Sequence, residues 1–314
     1  LFSFFAEFGL PILETLNLQA AVRREEFSRG LGATVYKVSG KWDVFGPLSL
    51  RGSYGTNYQA PPAGLNPGQI TSSQASYTRA SGDWRGSQTQ TQSGVVPETA
   101  TAWNAGAIWQ SAGFSPAHDL RIIIDYFDIQ TENELGTLAT TNDIVNRVFS
   151  IAPGSGTAVP NNNTALADCS SPLINRITLN DSATSPGGAC VQGQTSALNF
   201  SSVLTDYGNG PGQHVAGFDI QANYTMPLLE GDLPLGLTAT RTTKNQLEAK
   251  FLDGVQLDSG DNRLGFLNFN VVANAAPKWR GRTHANYSFG QHNLRAPAHH
   301  LSRVVCETGA VPPA

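Results

Sequence analysis

What most constrains this chain is a hydrophobic period of two that recurs in segment after segment, because side chains on an extended strand alternate between its two faces. From Thr15 to Phe27 one face carries Leu16, Leu18, Ala20 and Val22, and the other Asn17, Gln19, Ala21 and Arg23. The split recurs for Tyr36, Val38, Gly40, Trp42 and Val44 against Lys37, Ser39, Lys41 and Asp43, and for Leu48, Leu50, Tyr54 and Tyr58 against Ser49, Arg51, Ser53 and Asn57. Downstream, Trp103, Ala105, Ala107 and Trp109 form an apolar row, while Leu120, Ile122, Ile124 and Tyr126 oppose a mixed row of Arg121, Asp125 and Phe127. The set Ala216, Phe218, Ile220, Ala222, Tyr224 and Met226 opposes Gly217, Asp219, Gln221, Asn223 and Thr225. Leu235 to Lys244 is weaker, since Arg241 falls on the face of Leu235 and Leu237, a place expected at an interface. Finally Trp279, Gly281, Thr283, Ala285, Tyr287 and Phe289 oppose Arg280, Arg282, His284, Asn286 and Ser288, and a row of two arginines and a histidine needs water.

A soluble β-sandwich also alternates, with its apolar face inward. Sandwich cores favour Val, Ile, Leu and Phe, whereas these apolar faces mix Ala, Gly and Thr with Trp and Tyr near segment ends, as in a lipid band with aromatic girdles. Connection lengths give a second argument. Links around Gly46, Gln110 to His118, Pro227 to Asp232 and Gly290 to Gln291 are short, and the intervening Gln59 to Val96, Thr131 to Gln213 and Phe251 to Ala276 are long. Only Ser28 to Leu31 is short on the long side. Short periplasmic turns and long extracellular loops are the habit of outer-membrane barrels. No apolar run approaches the ~18 residues of a spanning helix, which leaves a closed barrel as the way across a bilayer.

Charged residues make up 14% of the chain and the formal net charge is -4, so no basic footprint marks a nucleic-acid partner. Of three cysteines, Cys169 and Cys190 lie in one polar stretch where a disulfide would suit an oxidising compartment; two unrelated thiols is the alternative. Cys306 is left over. No catalytic constellation stands out, so no enzyme activity and no cofactor is expected. His299, His300 and Cys306 match no zinc spacing, and the run from Asp253 to Asp261 lacks the terminal Glu of a calcium loop, so no metal site is expected either.

With the strands placed, several short motifs fall in the order of a known family. The stretches Glu7-Phe8-Gly9-Leu10-Pro11-Ile12-Leu13 and Ala21-Val22-Arg23-Arg24-Glu25-Glu26-Phe27 look like a strand end, turn and rising strand. Leu50-Arg51-Gly52-Ser53-Tyr54-Gly55-Thr56-Asn57-Tyr58-Gln59-Ala60-Pro61 is similar to a segment ending Phe-Arg-Ala-Pro, with Tyr58-Gln59 in place of Phe-Arg. Pro97-Glu98-Thr99 with Trp103-Asn104-Ala105-Gly106, then Gly217-Phe218-Asp219, then Pro277-Lys278-Trp279 with Asn286-Tyr287 and Gly290-Gln291-His292-Asn293, complete the series. Together they resemble the carboxyl-terminal part of the barrel of TonB-dependent receptors. The resemblance implies an all-β, antiparallel transmembrane barrel, partial here at about ten strands of a larger barrel of about 22. Residues 1–294 are expected to be barrel, 295–314 an atypical tail from a truncated or frameshifted end because Pro297 would remove a ladder donor and the segment lacks alternation, and the plug domain is expected to be absent from the chain.

The resemblance further implies an outer-membrane receptor that takes up a scarce solute, such as an iron–siderophore complex, cobalamin or an oligosaccharide. Its partners would be outer-membrane lipid and the TonB complex, the latter through an amino-terminal region outside this chain. Tyr77, Arg79, Trp84 and Arg85, in the loop from Gln59 to Val96, offer ring faces and charge for an anionic ligand; an ordinary polar loop is the plainer reading. Arg51, Arg121, Arg280, Arg282 and His284 should face the lumen and solvate its wall. A passive porin-like or structural barrel, and a secreted soluble carbohydrate-binding β-protein, are the competing functions.

Overall fold

A computed structural model describes residues 2–27, 30–80, 82–111, 118–150, 165–260, 262–267 and 276–306. The chain opens with the long strands β1 (Phe2–Leu13), β2 (Leu16–Glu26), β3 (Gly32–Phe45) and β4 (Leu48–Gln59), followed by the shorter β5 (Ile70–Ser76) and β6 (Trp84–Thr91). Long strands β7 (Glu98–Gln110) and β8 (Asp119–Glu132) precede β9 (Glu134–Thr137), helix α1 (Thr141–Val148), β10 (Ile177–Leu179) and β11 (Phe200–Gly210). Then come β12 (Gln213–Leu228), β13 (Gly231–Leu247), the hairpin β14 (Lys250–Leu252) and β15 (Val255–Asp258), β16 (Phe266–Leu267), β17 (Trp279–Phe289), β18 (His292–Leu301) and β19 (Val305–Cys306).

Ten strands form one sheet in the order β1-β2-β3-β4-β7-β8-β12-β13-β17-β18, and every neighbouring pair in it is antiparallel. This is the up-and-down meander of a membrane barrel, and the ten strands run from 10 to 17 residues, enough for the roughly 9–11 residues that a tilted strand needs to cross. Two adjacent rungs show how completely the period of two is kept. Asn17, Lys41, Arg51, Gly106, Asp125, Asp219, Thr240 and Arg280 lie opposite one another across eight strands. One residue further along, Trp42, Leu50, Ala107, Ile124, Ile220, Ala239 and Gly281 do the same. The apolar face holds exposed Phe8, Leu10, Val38, Trp42, Leu50, Ile124 and Leu237. In water such a surface would be far larger than a soluble monomer tolerates; against acyl chains it is at home.

Aromatic contacts mark two levels of that face. Tyr36 meets Tyr54, and Trp103, Tyr126 and Phe218 form a continuous chain, at the end near the long loops. Phe45 meets Trp109 at the end near the short turns. Trp103 and Trp109 are separated along one strand by about 20 Å at the usual rise, close to the height of a lipid band between girdles. Arg241, the residue that weakened the alternation of its segment, lies with its guanidinium 5.4 Å from the Trp279 ring centroid, in the same rung as Tyr126 and Phe218.

Two expectations change. The segment after Leu294 is not an irregular tail up to Leu301: β18 pairs with β17 throughout, with Pro297 opposite His284 and Leu301 opposite Arg280. Leu294, Ala296 and Ala298 alternate there with Asn293, Arg295 and His299, but alanine carries so little hydrophobic signal that the period is easily missed. Proline is tolerated because β18 ends the described sheet. Residues 307–314 lie outside the described residues, as does Asp261 of the acidic run.

The second change is that the long links are not simple loops. They build a module with a sheet ordered β10-β11-β6-β5, in which β9 also pairs β11 and β6 runs parallel to β11. Its core gathers Tyr77, Ile144, Val145, Val148, Phe149, Leu173, Ile177, Phe200 and Val203, with Leu252 joining from the link between β13 and β17. Helix α1 starts at a capping box, Asp143 N–H donating to Thr140 Oγ1 at 3.1 Å and Thr140 N–H to Asp143 Oδ2 at 3.2 Å, and turns Ile144, Val145 and Val148 into the core. Arg176 ties the links together, donating to Asp253 at 2.5 and 2.8 Å and to Asp206 at 2.9 Å. These bonds hold the Asp253 carboxyl below the usual carboxylate range and raise the Arg176 guanidinium. Cys169 and Cys190 are joined, their Cα atoms 5.7 Å apart.

Closing a loop over a separation of 21 residues restricts the unfolded module by about 3 kcal/mol in the chain-entropy picture. Replacing both cysteines by serine is therefore expected to speed amide exchange in α1, β10 and β11 while leaving β2 to β4 unchanged. Hydrogen exchange by mass spectrometry checks this, and an equal rise across the ten-stranded sheet would mean that the module has no stability of its own.

Candidate functional site

The polar face of the sheet is built from uncharged and charged side chains that satisfy one another within and between strands. Lys41 pairs with Asp43 at 2.8 Å, and Ser49 donates to Asp43 at 2.6 Å. Thr240 donates to Asp219 at 2.7 Å. Arg51 reaches over β7 to Asp125 on β8, with Nε donating to Oδ1 at 2.7 Å and a second bond from Nη2 to Oδ2. That reach has a condition: a Cβ on the intervening Gly106 would come within 1.9 Å of Asp125 Oδ1. A glycine in the middle of β7, which costs strand stability, is what lets the two-pronged ion pair cross.

This face lines a cavity of about 920 Å³ whose walls include Gln19, Lys41, Arg51, Asn104, Asp125 and Asp219. Residues from β1 through β12 border one space, so the polar face is the concave one. Arg51 is in that wall, and Arg121 lines a smaller recess with Lys41, Ser49 and Gln110 near the short turns. Arg280 shares the rung of Asp219 and Arg51, Arg282 lies opposite Thr238, and His284 opposite Gly236, all on the same face. The His284 ring occupies the space above Gly236, where a Cβ would meet its Cε1 at 2.1 Å. The five residues expected on the watery face therefore share one surface by register.

The four residues expected to meet a ligand in the first long link are not together on a surface. Tyr77 is fully buried, packed edge to face on Phe200 at 5.1 Å. Arg79 is buried as well, and burial pushes its guanidinium pKa down. Arg85 lies over the Phe200 ring at 4.7 Å and donates to the carbonyls of Leu198, at 3.0 Å, and Phe200. Only Trp84 stands in solvent, 68% exposed. The anionic-ligand reading of this set fails physically: Arg79 is buried, and Arg85 is engaged by the Phe200 ring and the carbonyls of Leu198 and Phe200. Their neighbours Ile144, Val145 and Val148 after Thr140 and Asp143 were the readable sign that a folded unit was present. Among the described residues no group of His, Cys, Asp and Glu side chains is arranged to hold a metal ion.

A double-mutant cycle on Arg51 and Asp125 is expected to give a coupling of no more than about 1 kcal/mol, since the pair is solvated. In a Gly106→Val background that coupling should vanish. Unfolding in detergent micelles measures both, and a coupling that survives Gly106→Val would contradict the role given to the glycine.

The comparisons with known proteins agree with this architecture. Over residues 1–304 the sequence matches the family model described as TonB dependent receptor-like, beta-barrel. No curated protein matches the sequence. Among solved structures, a variant of the ferric enterobactin receptor PfeA from Pseudomonas aeruginosa, with enterobactin, superposes with a TM-score of 0.55 at 12% identity, covering 96% of this chain and 32% of that one. The siderophore receptor PirA from Acinetobacter baumannii gives 0.52 at 12%, covering 93% and 32%, and the RagAB peptide importer 0.54 at 15%, covering 95% and 33%. At such identities the likeness is one of fold, and the chain spans about a third of the length of the structures it matches. By its sequence over nearly its whole length, this chain belongs to the TonB-dependent receptor-like β-barrel family.

Proposed function

We propose that the chain forms part of the barrel of an outer-membrane receptor that binds a scarce solute outside the cell and imports it with energy relayed by TonB. The observation that carries this reading is the pairing, on the same ten strands, of an apolar girdled face with a charged concave face. A lipid environment on one side and an aqueous passage on the other is the arrangement those two faces satisfy together. The folded module at the ends of β4, β7, β8, β12 and β13 stands on the side opposite the short turns, where an external ligand would first be met. Family membership supports the same reading, and the named siderophore receptors and peptide importer illustrate the solutes that this fold accepts elsewhere. Coupling to TonB would be made by a region outside this chain, and a plug would occupy the lumen against the Arg51, Arg121, Arg280, Arg282 and His284 wall.

In a host carrying the complete gene, the protein is expected to fractionate with the outer membrane and to resist extraction without detergent. Accumulation of its solute should collapse when TonB is deleted. Uptake that is unchanged without TonB would favour a passive pore instead, and recovery in the detergent-free soluble fraction would remove both membrane readings.

A further inference from the structure

A cation on the apolar face of a membrane strand is out of place, and β13 holds two. Arg241 shares the rung of Tyr126, Phe218 and Trp279, in the aromatic belt near the long loops. Beyond it the ladder slips: Gly217 pairs with Thr242 and Ala216 with Lys244, so Thr243 is left over as a bulge, its hydroxyl donating to the Ala216 carbonyl at 3.1 Å. In an unbroken strand Thr243 would follow Arg241 on the lipid side and Lys244 would face the lumen. The extra residue turns Lys244 outward instead, as a bulge does to the side chains beyond it.

The surroundings leave the charge of this pair open. Lys244 is half-buried, and its ammonium donates to His214 Nδ1 at 2.9 Å. A lysine can only donate, so His214 carries its proton on Nε2 and gives it to Asp128 Oδ1 at 2.9 Å. Tyr126 donates to the other oxygen of Asp128 at 3.3 Å. The neighbouring carboxylate is thus satisfied by an imidazole and a phenol, and among the described residues neither Arg241 nor Lys244 pairs with an acid. The Arg241 guanidinium is exposed and lies over the Trp279 ring at 5.4 Å, a contact with the ring face that leaves its N–H donors for another partner.

Cations at the lipid border are stable where their heads reach water or a lipid headgroup, and the aromatic belt marks that level. Arg241 and Lys244 occupy successive outward positions of one strand, about 7 Å apart at the usual rise, so both long side chains can converge on a single phosphate, the arginine by its planar fork and the lysine as a point charge. Below them Ala239, Leu237 and Leu235 of β13, opposite Ile220, Ala222 and Tyr224 of β12, continue the apolar surface along which acyl chains would lie. A lipid uses both parts of this surface; a free anion would use only the first.

We propose that Arg241 and Lys244, backed by Trp279, bind the phosphate of an outer-leaflet lipid headgroup against the outside of the barrel, an inference that rests on the outer-membrane reading above. The complete protein in lauryldimethylamine oxide micelles, with divalent cations chelated, is titrated calorimetrically with diphosphoryl lipid A, with the same lipid stripped of its phosphates, and with inorganic phosphate. Saturable binding of the phosphorylated lipid is expected, about tenfold or more tighter than that of the stripped lipid. Lys244→Gln, which keeps a donor for His214 while removing the charge, and Arg241→Gln should each weaken it about fivefold. Lys244→Arg, which keeps the charge, should hold it within about twofold, and Lys37→Gln, which removes a cation from the opposite face of the sheet, should change nothing. The proposal is overturned if the stripped lipid binds equally well, if Arg241→Gln and Lys244→Gln together leave lipid binding unchanged, or if inorganic phosphate binds as tightly as the phosphorylated lipid. Any of these results in a protein that still fractionates with the outer membrane and takes up its solute through TonB leaves the receptor reading intact; recovery in the detergent-free soluble fraction removes both.

Discussion

The hydrogen-bonded ladder between neighbouring antiparallel strands is the constraint from which the rest of this structure follows. Within a bilayer no water is available to pair backbone N–H and C=O groups, so each strand must obtain its partners from the strands beside it. Sequential antiparallel pairing meets that need with the shortest connections, and it fixes register. Once register is fixed, every second side chain across ten strands falls on one surface, so that Arg51, Asp125, Asp219 and Arg280 share a rung while Leu50, Ile124, Ile220 and Ala239 share the next. The ladder does not depend on side-chain packing between two layers. It therefore leaves the concave face free to be polar, and Gly106 shows the sheet giving up a side chain so that a charge pair can form across it.

Hydrophobic burial is correspondingly displaced. In a soluble domain the core lies between layers of secondary structure, but here the residues buried against one another are concentrated in the module formed by the long links. Phe200 is its centre, touched by Tyr77, Phe149 and Arg85. The module meets water on its outside and is held as a small secreted domain would be, by a disulfide and by the Arg176 bridge between links. Two solvents thus account for two styles of stability in one chain. The lipid-facing sheet relies on its ladder, and the water-facing module on a packed core.

The sheet was largely legible in the sequence because its signal is local and repeated. The segment from Ala216 to Met226 lies within β12, and the apolar and polar rows read there are the two faces observed. Even Arg241, an exception to its row, has its physical reason in the neighbouring Trp279. Reading failed where the signal was weak or distant. The alanines of β18 carry little of its alternation, and Pro297 lacks a donor that a strand at the end of the described sheet can do without. The module was missed because its central pairing joins Gly86 to Ser202, residues far apart in the chain and parallel. Tyr77 and Arg85 misled for a related reason: long amphipathic side chains look available in sequence, yet they can bury ring and stem and satisfy their polar ends on backbone carbonyls.

The two faces of the same strands meet different solvents. Spin labels placed one at a time at 218 to 225 of β12, in the protein reconstituted in lipid bilayers, test it through collision with oxygen, which partitions into lipid, and with a nickel chelate, which stays in water. The account predicts a period of two, with labels at Ile220 and Ala222 reached mainly by oxygen and those at Asp219, Gln221 and Asn223 mainly by nickel. Equal access of nickel to both sets would contradict it, since both faces would then be in water.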